Sequence, residues 1–274
     1  MKSALVRVLG FPATLIHGDT LVLDRWLWVK KSLQAVPRGS KSLIDVGCGT
    51  GAFTIGAARR GYRSLGLSWD ERNQRVAAER AVMCHTNLAQ FEVQDVRRLG
   101  DRQDLNGQFD VAICLECIEH ILHDEKLVRD MAACLKPGGT LLLTTPNFCY
   151  RPMTFDDNAI SAVEDGGHVR RGYTPEDFQR LSKASGLNVE KVEYCSGILS
   201  QKITGIARSL QKTLPHLVVW GLLLPLRCIP PVLDKLVTRL TKWPGYSITL
   251  IARKKKEAAG AVEDESALRI PASA

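Results

Sequence analysis

Aromatic side chains are scarce in this chain of 274 residues, at 6% of the sequence, and no uninterrupted apolar stretch is long. The longest, residues 217–226, is about half of the roughly 20 residues that a helix needs to cross a bilayer, so the sequence predicts no membrane span. Glycine and proline are near their average frequencies while 45% of the residues are hydrophobic, which excludes collagen-like and wholly disordered chains. The sequence therefore indicates a globular protein of one elaborated domain or two small ones.

The N-terminal residues do not have the form of a secretory signal, because Pro12 and His17 interrupt the apolar stretch and no small-residue cleavage site follows. The eight cysteines are scattered along the chain. Cys114 and Cys117 have the spacing of a metal-binding pair, but no second pair accompanies them, so the pattern does not favour zinc there. We therefore expect free thiols and a cytoplasmic location.

Acidic residues are nearly missing from one segment of the chain. The formal net charge is +8, yet residues 197–256 hold 11 lysines and arginines and one acid, Asp234. A basic block among apolar residues indicates contact with a membrane surface or a nucleic acid. A solvated helix face is the alternative.

Short apolar segments alternate with helical patterns through most of the chain. Such alternation predicts an α/β fold around a parallel sheet that is buried on both faces. A helix over residues 19–36, with Asp19 as its N-cap, precedes the sheet, and residues 136–139 predict a turn. The predicted strands are residues 42–46, 62–67, 89–93, 109–115, 140–145, 187–194 and 246–253.

These elements divide the chain into four parts. An N-terminal helical segment (1–40) is followed by a sheet domain (41–196 with 246–256). An insert (197–245) interrupts that domain and is far longer than an ordinary connection between strands. The composition of the tail (257–274) predicts disorder.

A glycine-rich loop follows the first predicted strand and opens a helix. Residues 45–51 are Asp-Val-Gly-Cys-Gly-Thr-Gly. Glycines at such a bend let backbone N–H groups approach a ligand at the carboxyl edge of the sheet. The loop is not a Walker loop, since no Gly-Lys-Ser/Thr follows, and its spacing differs from the dinucleotide-binding G-x-G-x-x-G. A purely structural glycine turn is the alternative.

The same loop resembles motif I of the class I S-adenosylmethionine-dependent methyltransferases. The similarity continues through residues 94–96, 109–111, 135–140 and 144–147, so that it covers about residues 40–195 and the last strand. The resemblance implies a Rossmann-like seven-stranded methyltransferase sheet, with an N-terminal helix and a helical insert before the last strand. It also implies S-adenosylmethionine as the cofactor.

Contacts to that cofactor follow from the resemblance. Asp45 would hold the amino group of the cofactor, and Asp95 would accept a hydrogen bond from its adenine amine. At Ser68 the sequence departs from the family, which usually has an acid there for the ribose; either Asp70 reaches the ribose or the ribose is held differently. The remaining implied contacts are Gly47, Cys48, Gly49, Gly51, Val96 and Leu115.

A second constellation follows the fourth predicted strand. On a helical turn Glu116, Glu119 and His120 share one face, and two carboxylates with an imidazole suit a divalent ion such as Mg²⁺, Mn²⁺ or Zn²⁺. The run is similar to that of the ubiquinone-biosynthesis O-methyltransferases, and by this resemblance His168 would join it. Three roles stay open: a metal site of these four residues, catalysis by His120 or His168 as general base beside Glu119, or a structural role.

The insert has an amphipathic pattern. Leu233, Leu236, Val237 and Leu240 fall at helical spacing, with basic residues off this stripe. Residues 199–243 thus predict an element that docks on an anionic membrane surface. A lid packed over the substrate is the alternative, and nucleic acid is a poor fit because no nucleic-acid-binding module is recognisable.

Together these expectations describe an enzyme that methylates a nucleophile, best the hydroxyl of a lipophilic small molecule or a lipid-linked acceptor. Its expected location is the cytoplasm or the periphery of a membrane. The alternatives are N-methylation of a small metabolite, 2′-O-methylation of RNA, and a non-catalytic cofactor-binding scaffold at a membrane surface. The sequence predicts neither the acceptor nor the oligomeric state.

Overall fold

The computed structural model describes residues 2–16, 20–153 and 160–256. The predicted N-cap Asp19 and the predicted disordered tail lie outside these residues. The helices are α1 (Lys2–Leu9), α2 (Phe11–Ile16), α3 (Thr20–Ser32), α4 (Ala52–Arg59), α5 (Glu71–Met83), α6 (Asp124–Cys134), α7 (Pro175–Ala184), α8 (Ile198–Leu210), α9 (His216–Leu223) and α10 (Pro230–Thr241). The strands are β1 (Lys41–Val46), β2 (Tyr62–Ser68), β3 (Ala89–Val93), β4 (Phe109–Leu115), β5 (Leu135–Pro146), β6 (Leu187–Cys195) and β7 (Ser247–Lys254).

The seven strands form one sheet in the order β3-β2-β1-β4-β5-β7-β6. Strands β1 to β5 are parallel, and β7 runs antiparallel between β5 and β6. The central strands are apolar on both faces because helices cover both sides: Ile44 packs in one core cluster and its neighbour Leu43 in the other. The predicted seven-stranded Rossmann-like sheet is confirmed.

The turn predicted at residues 136–139 is instead part of β5. Leu135 is fully buried and pairs with Phe109, while Val111 pairs with Thr140. The intervening residues therefore form a bulge in a longer strand, with Gly138 in the left-handed region at φ 77°. The prediction was wrong because the apolar run that marks the strand begins only after this bulge.

Among the described residues, three helices rather than the single predicted one precede β1. The chain breaks between α1 and α2 at Gly10, whose φ is 64°, and α3 ends at Ser32, before the predicted residue 36. The rings of Phe11 and Trp26 meet edge to face, with centroids 5.2 Å apart. A Cβ on Gly56 of α4 would lie 2.3 Å from the Trp26 ring, so α3 packs directly on the helix that follows the glycine loop.

The insert between β6 and β7 folds as α8, α9 and α10. Asp234 of α10 accepts a hydrogen bond from the Leu199 N–H at 2.7 Å and thereby caps the start of α8. Arg227 and the Trp220 indole both donate to the Ile16 carbonyl, at 2.6 and 2.8 Å. These bonds tie the insert to the end of α2.

The apolar stripe predicted for α10 faces outward. Leu233, Leu236 and Leu240 are 45%, 58% and 75% exposed, so this stripe is not packed against the sheet domain. Among the described residues, no helix combines the length and the apolar character that a bilayer crossing requires.

Candidate active site

Two backbone hydrogen bonds hold the glycine-rich loop to the end of β2. The N–H groups of Gly47 and Cys48 both donate to the Leu67 carbonyl, at 3.0 and 2.9 Å. Gly47 has a φ of 85°, and a Cβ there would lie 2.5 Å from Cys117 Sγ, so both backbone and packing require glycine. A Cβ on Gly49 would meet nothing within 4 Å, which places that residue on the open side of the loop.

Asp45 lies at the end of β1 beneath this loop and is only 1% exposed. Its Oδ2 accepts a hydrogen bond of 2.6 Å from the Thr54 hydroxyl. Burial raises the pKa of Asp45 to about 7. No cation of the described residues is paired with it, so the carboxylate is available to a cationic ligand.

A cavity of about 520 Å³ opens beside Asp45 and the loop, a size typical of small-molecule pockets. Residues 47–50 and Leu115 line it from the sheet domain. The insert forms the facing wall with Thr204, Ala207, Arg208, Gln211, His216 and Arg227. The insert therefore lines one side of the cavity, and the sequence pattern did not indicate which of its residues would do so.

Arg80 of α5 also lines this cavity and was not among the residues predicted from the sequence. It is buried, and one of its guanidinium nitrogens donates to the Thr50 hydroxyl at 2.6 Å. Burial lowers the pKa of Arg80. The available signal was an arginine on the buried face of α5, between Ala77 and Ala81.

Four predicted cofactor residues do not line the cavity. A Cβ on Gly51 would lie 2.7 Å from the Phe91 ring, so this glycine packs against β3. The carboxylate of Asp70 caps α5 by accepting from two backbone N–H groups. Asp95 is paired with Arg97 at 2.6 Å, and this guanidinium holds the pKa of Asp95 below its usual range. Val96 belongs to the hydrophobic core. Their roles in cofactor binding stay predictions.

Glu116 does not share a helical face with Glu119 and His120, and that expectation was wrong. Its φ is 52°, and the helical turn comprises only residues 118–120. The carboxylate of Glu116 pairs with Arg25 of α3 at 3.0 Å and accepts hydrogen bonds from hydroxyls on β5 and β7. It lines the cavity beside the loop instead of joining the other predicted metal ligands.

Glu119, His120 and His168 do come together, and we call them the Glu-His-His cluster. One ligand atom from each lies within 4.8 Å of the others. Glu119 is 1% exposed, and burial, followed by the charge of Glu116, raises its pKa. Its Oε2 accepts a hydrogen bond from the Thr145 hydroxyl at 3.0 Å.

One contact orients the His120 ring. Its Nδ1 lies 2.9 Å from the Gly167 carbonyl oxygen. A carbonyl only accepts hydrogen bonds, so Nδ1 carries the proton and Nε2 keeps the lone pair of the neutral ring. That nitrogen lies 3.9 Å from Glu119 Oε1. It is suited to accept a proton or to bind a divalent ion.

A family model described as a methyltransferase domain matches residues 26–192, more than half of the chain. The match includes the glycine loop, Asp45 and the Glu-His-His cluster. The chain belongs to the class I S-adenosylmethionine-dependent methyltransferases. The predicted family and the predicted cofactor are thereby confirmed.

Known relatives of this methyltransferase differ in their chemistry. The ubiquinone biosynthesis O-methyltransferase of Idiomarina loihiensis is 28% identical over 54% of this chain, and the match spans 61% of that protein, less than two thirds of its length. Phosphoethanolamine N-methyltransferase 2 of Haemonchus contortus, solved with S-adenosyl-L-methionine, has a TM-score of 0.59 at 18% identity, over 93% of this chain and 60% of that chain. The [4+2]-cyclase SpnF has a TM-score of 0.58 at 19% identity, over 86% and 83%. At these identities the two structures support the fold alone.

The residues of the cavity fit the family's cofactor. S-adenosylmethionine carries an ammonium and a sulfonium, and it supplies an electrophilic methyl group when bound. The buried Asp45 carboxylate provides the opposite charge, and the left-handed glycines let the loop backbone approach closely. Leu115 and Glu116 line the same cavity at the end of β4.

Proposed function

We propose that this methyltransferase transfers the methyl group of S-adenosylmethionine to a hydroxyl group of an apolar acceptor. The supporting observation is the lone pair of His120 Nε2, held beside a buried carboxylate at the carboxyl edge of the sheet. A hydroxyl is a weak nucleophile until a base takes its proton.

The residues of the Glu-His-His cluster take the proton in this proposal. His120 Nε2 would take the proton of the acceptor hydroxyl, while S-adenosylmethionine, held beside Asp45 and the glycine loop, would supply the methyl group. Glu119 lies beside the imidazolium that forms. Positioning supplies much of the remaining rate, because the insert and the glycine loop together form the walls of the cavity that would hold the reactants.

The same three donor atoms also suit a divalent ion, which would lower the pKa of the acceptor hydroxyl. Chelation separates the two mechanisms. Turnover that survives EDTA supports His120 as the base. Turnover that is lost in EDTA and restored by Mg²⁺, Mn²⁺ or Zn²⁺ supports a metal site of Glu119, His120 and His168.

The test of the proposed function is methyl transfer from labelled S-adenosylmethionine to isoprenoid, polyketide and glycolipid alcohols. His120→Gln is expected to lower kcat by about 10²-fold or more while leaving cofactor affinity unchanged. His123→Gln is the matched control, since that histidine is exposed and lies three residues further along. Methylation of amines alone, or full turnover by His120→Gln, would contradict the proposal.

We also propose that α10 docks this enzyme on an anionic membrane surface. Val232, Leu236 and Leu240 project outward at 77%, 58% and 75% exposure. Lys235 and Arg239 flank this stripe on the neighbouring face of the helix, where they are exposed as well. An apolar stripe with a cationic border suits the boundary between lipid chains and anionic headgroups.

Co-sedimentation with vesicles tests this docking. The protein is expected to bind phosphatidylglycerol vesicles, to leave them in 0.5 M salt, and to ignore phosphatidylcholine. Leu236→Ser with Leu240→Ser is expected to weaken binding by about tenfold or more. Val82→Ser with Val93→Ser is the matched control. Those valines are exposed in α5 and β3, and β3 is the edge strand at the opposite end of the sheet from β6. Equal binding by both double variants would refute docking through α10.

A further inference from the structure

A second cavity, of about 940 Å³, lies between α3, α10 and the carboxyl ends of β5 and β6. We call it the distal cavity; none of its lining residues lines the cofactor cavity. Leu27 and Trp28 form part of its wall on α3, and Trp243 forms part of the opposite wall. Four prolines add rigid apolar surface: Pro175, Pro230, Pro231 and Pro244.

The solvent-facing side of the distal cavity is cationic. Three acids line the cavity: Asp24 of α3, Asp234 of α10 and Glu193 of β6. Glu193 is paired with Lys191 at 2.8 Å. The exposed cations that line the cavity are Lys31 of α3 and, on one side of α10, Lys235, Arg239 and Lys242. A negatively charged group at this entrance would therefore be attracted.

The inner end of the distal cavity holds an acid with one carboxyl oxygen that has no partner among the described residues. Asp234 is committed to the N–H groups at the start of α8. Asp24 of α3 lines the cavity, and its Oδ2 is buried without a hydrogen-bond partner among the described residues. Burial, with the nearby charge of Asp234, raises the pKa of Asp24 to about 7. A buried carboxyl oxygen of this kind is stabilised when a ligand supplies a hydroxyl.

The distal cavity adjoins both parts of the proposed active site. Glu116 lines the cofactor cavity and pairs at 3.0 Å with Arg25 of α3, the helix that walls the distal cavity. On the other side, Thr145 of β5 donates to Glu119, and Asn147 two residues later lines the distal cavity. The walls of the two cavities are thus neighbours, although no residue lines both cavities.

We infer that the distal cavity binds an amphiphilic anion, with a phosphate or carboxylate at the entrance and a hydroxyl at the Asp24 end. This site goes beyond the proposed function, because none of its lining residues belongs to the cofactor cavity or to the Glu-His-His cluster. The cationic rim recognises the charged group, the tryptophans and prolines contact the apolar body, and Asp24 accepts from the hydroxyl.

Two exposed cysteines give a test that needs no turnover. Cys149 lines the distal cavity, whereas Cys228 lies outside it. Dodecyl phosphate, used below its micelle concentration, is expected to slow the alkylation of Cys149 by iodoacetamide by about tenfold or more and to leave Cys228 unaffected. Inorganic phosphate, dodecanol and dodecyltrimethylammonium are expected to protect weakly or not at all. Equal protection of the two cysteines, or equal protection by the uncharged and anionic chains, would overturn the inference.

Charge variants locate the anion. Lys235→Gln with Arg239→Gln is expected to weaken dodecyl phosphate binding by roughly tenfold in calorimetry, because two partly exposed ion pairs are lost. Lys41→Gln with Arg63→Gln is the matched control, since those cations are exposed at the opposite, amino edge of the sheet. Equal affinity of the two double variants would refute recognition of the anion at this entrance.

The outcome separates this inference from the proposed function. Protection of Cys149 is measured without S-adenosylmethionine, so it reports on the distal cavity alone. If dodecyl phosphate protects Cys149 but no alcohol is methylated, the cavity assignment stands and the proposed reaction fails. If alcohols are methylated while neither cysteine is protected, the proposed reaction stands and the distal cavity does not bind the anion.

Discussion

Replacing Asp45 by asparagine is expected to stabilise the cofactor-free protein and to weaken its binding of S-adenosylmethionine. Moving the pKa of this carboxyl from 3.8 to about 7 corresponds to about 4 kcal/mol. Because the folded protein holds this proton more tightly than the unfolded chain, the free energy of unfolding falls as pH rises from about 4 to about 7. Asparagine keeps an oxygen for the Thr54 hydroxyl and removes the charge. At pH 8 the variant therefore gains up to about 4 kcal/mol.

The same substitution is expected to weaken cofactor binding, although it stabilises the cofactor-free protein. The cofactor's ammonium loses its buried partner, so affinity is expected to fall by about 10- to 100-fold. In the wild type, affinity also weakens below pH 7, by at most about tenfold for each pH unit, as Asp45 takes up its proton.

Two assays test this reasoning about Asp45. Thermal unfolding of the cofactor-free wild type and variant is compared at pH 5 and pH 8, and calorimetry gives their cofactor affinities. Asp24 and Glu119 also have raised pKa values and titrate with the same sign, so the difference between the two proteins is the diagnostic quantity. Wild-type affinity in the variant, or an unchanged pH dependence of its unfolding, would refute the assignment.

Two further predictions concern stability, measured by denaturant unfolding. Gly47→Ala is expected to cost more than about 2 kcal/mol, since its Cβ would collide with a side chain at 2.5 Å, whereas Gly49→Ala, with open space, costs about 1 kcal/mol for backbone strain; similar costs would contradict this. Arg25→Met is expected to cost about 3 kcal/mol because Glu116 is left without its cation. Arg98→Met breaks an exposed pair and costs almost nothing, and an equal loss in both variants would refute the buried role of Arg25.

The sheet was predictable because local patterns determine it. The predicted strands 89–93 and 109–115 agree with β3 and β4. Buried parallel strands are continuous apolar runs, and Asp70 gives α5 a clear N-cap. The bulge in β5 was missed because its residues lack the apolar character by which a strand is recognised.

The site was only partly predictable because its remaining contacts join distant parts of the chain. The Glu116–Arg25 pair links the end of β4 with α3. The predicted position of Glu116 assumed helical backbone, but its φ is left-handed, so its side chain does not share a face with Glu119 and His120. The insert residues that cover the cofactor cavity depend on how α8 packs. For α10 the pattern correctly indicated an apolar stripe, but only the packing shows that the stripe faces outward.

The decisive measurement is calorimetric titration of the purified protein with S-adenosylmethionine and S-adenosylhomocysteine, in the presence and absence of Mg²⁺. Each compound is expected to bind once per chain, in the cavity beside Asp45. A Mg²⁺-dependent change in affinity would add support for a metal in the Glu-His-His cluster. Binding of neither compound would contradict the assignment of the cavity.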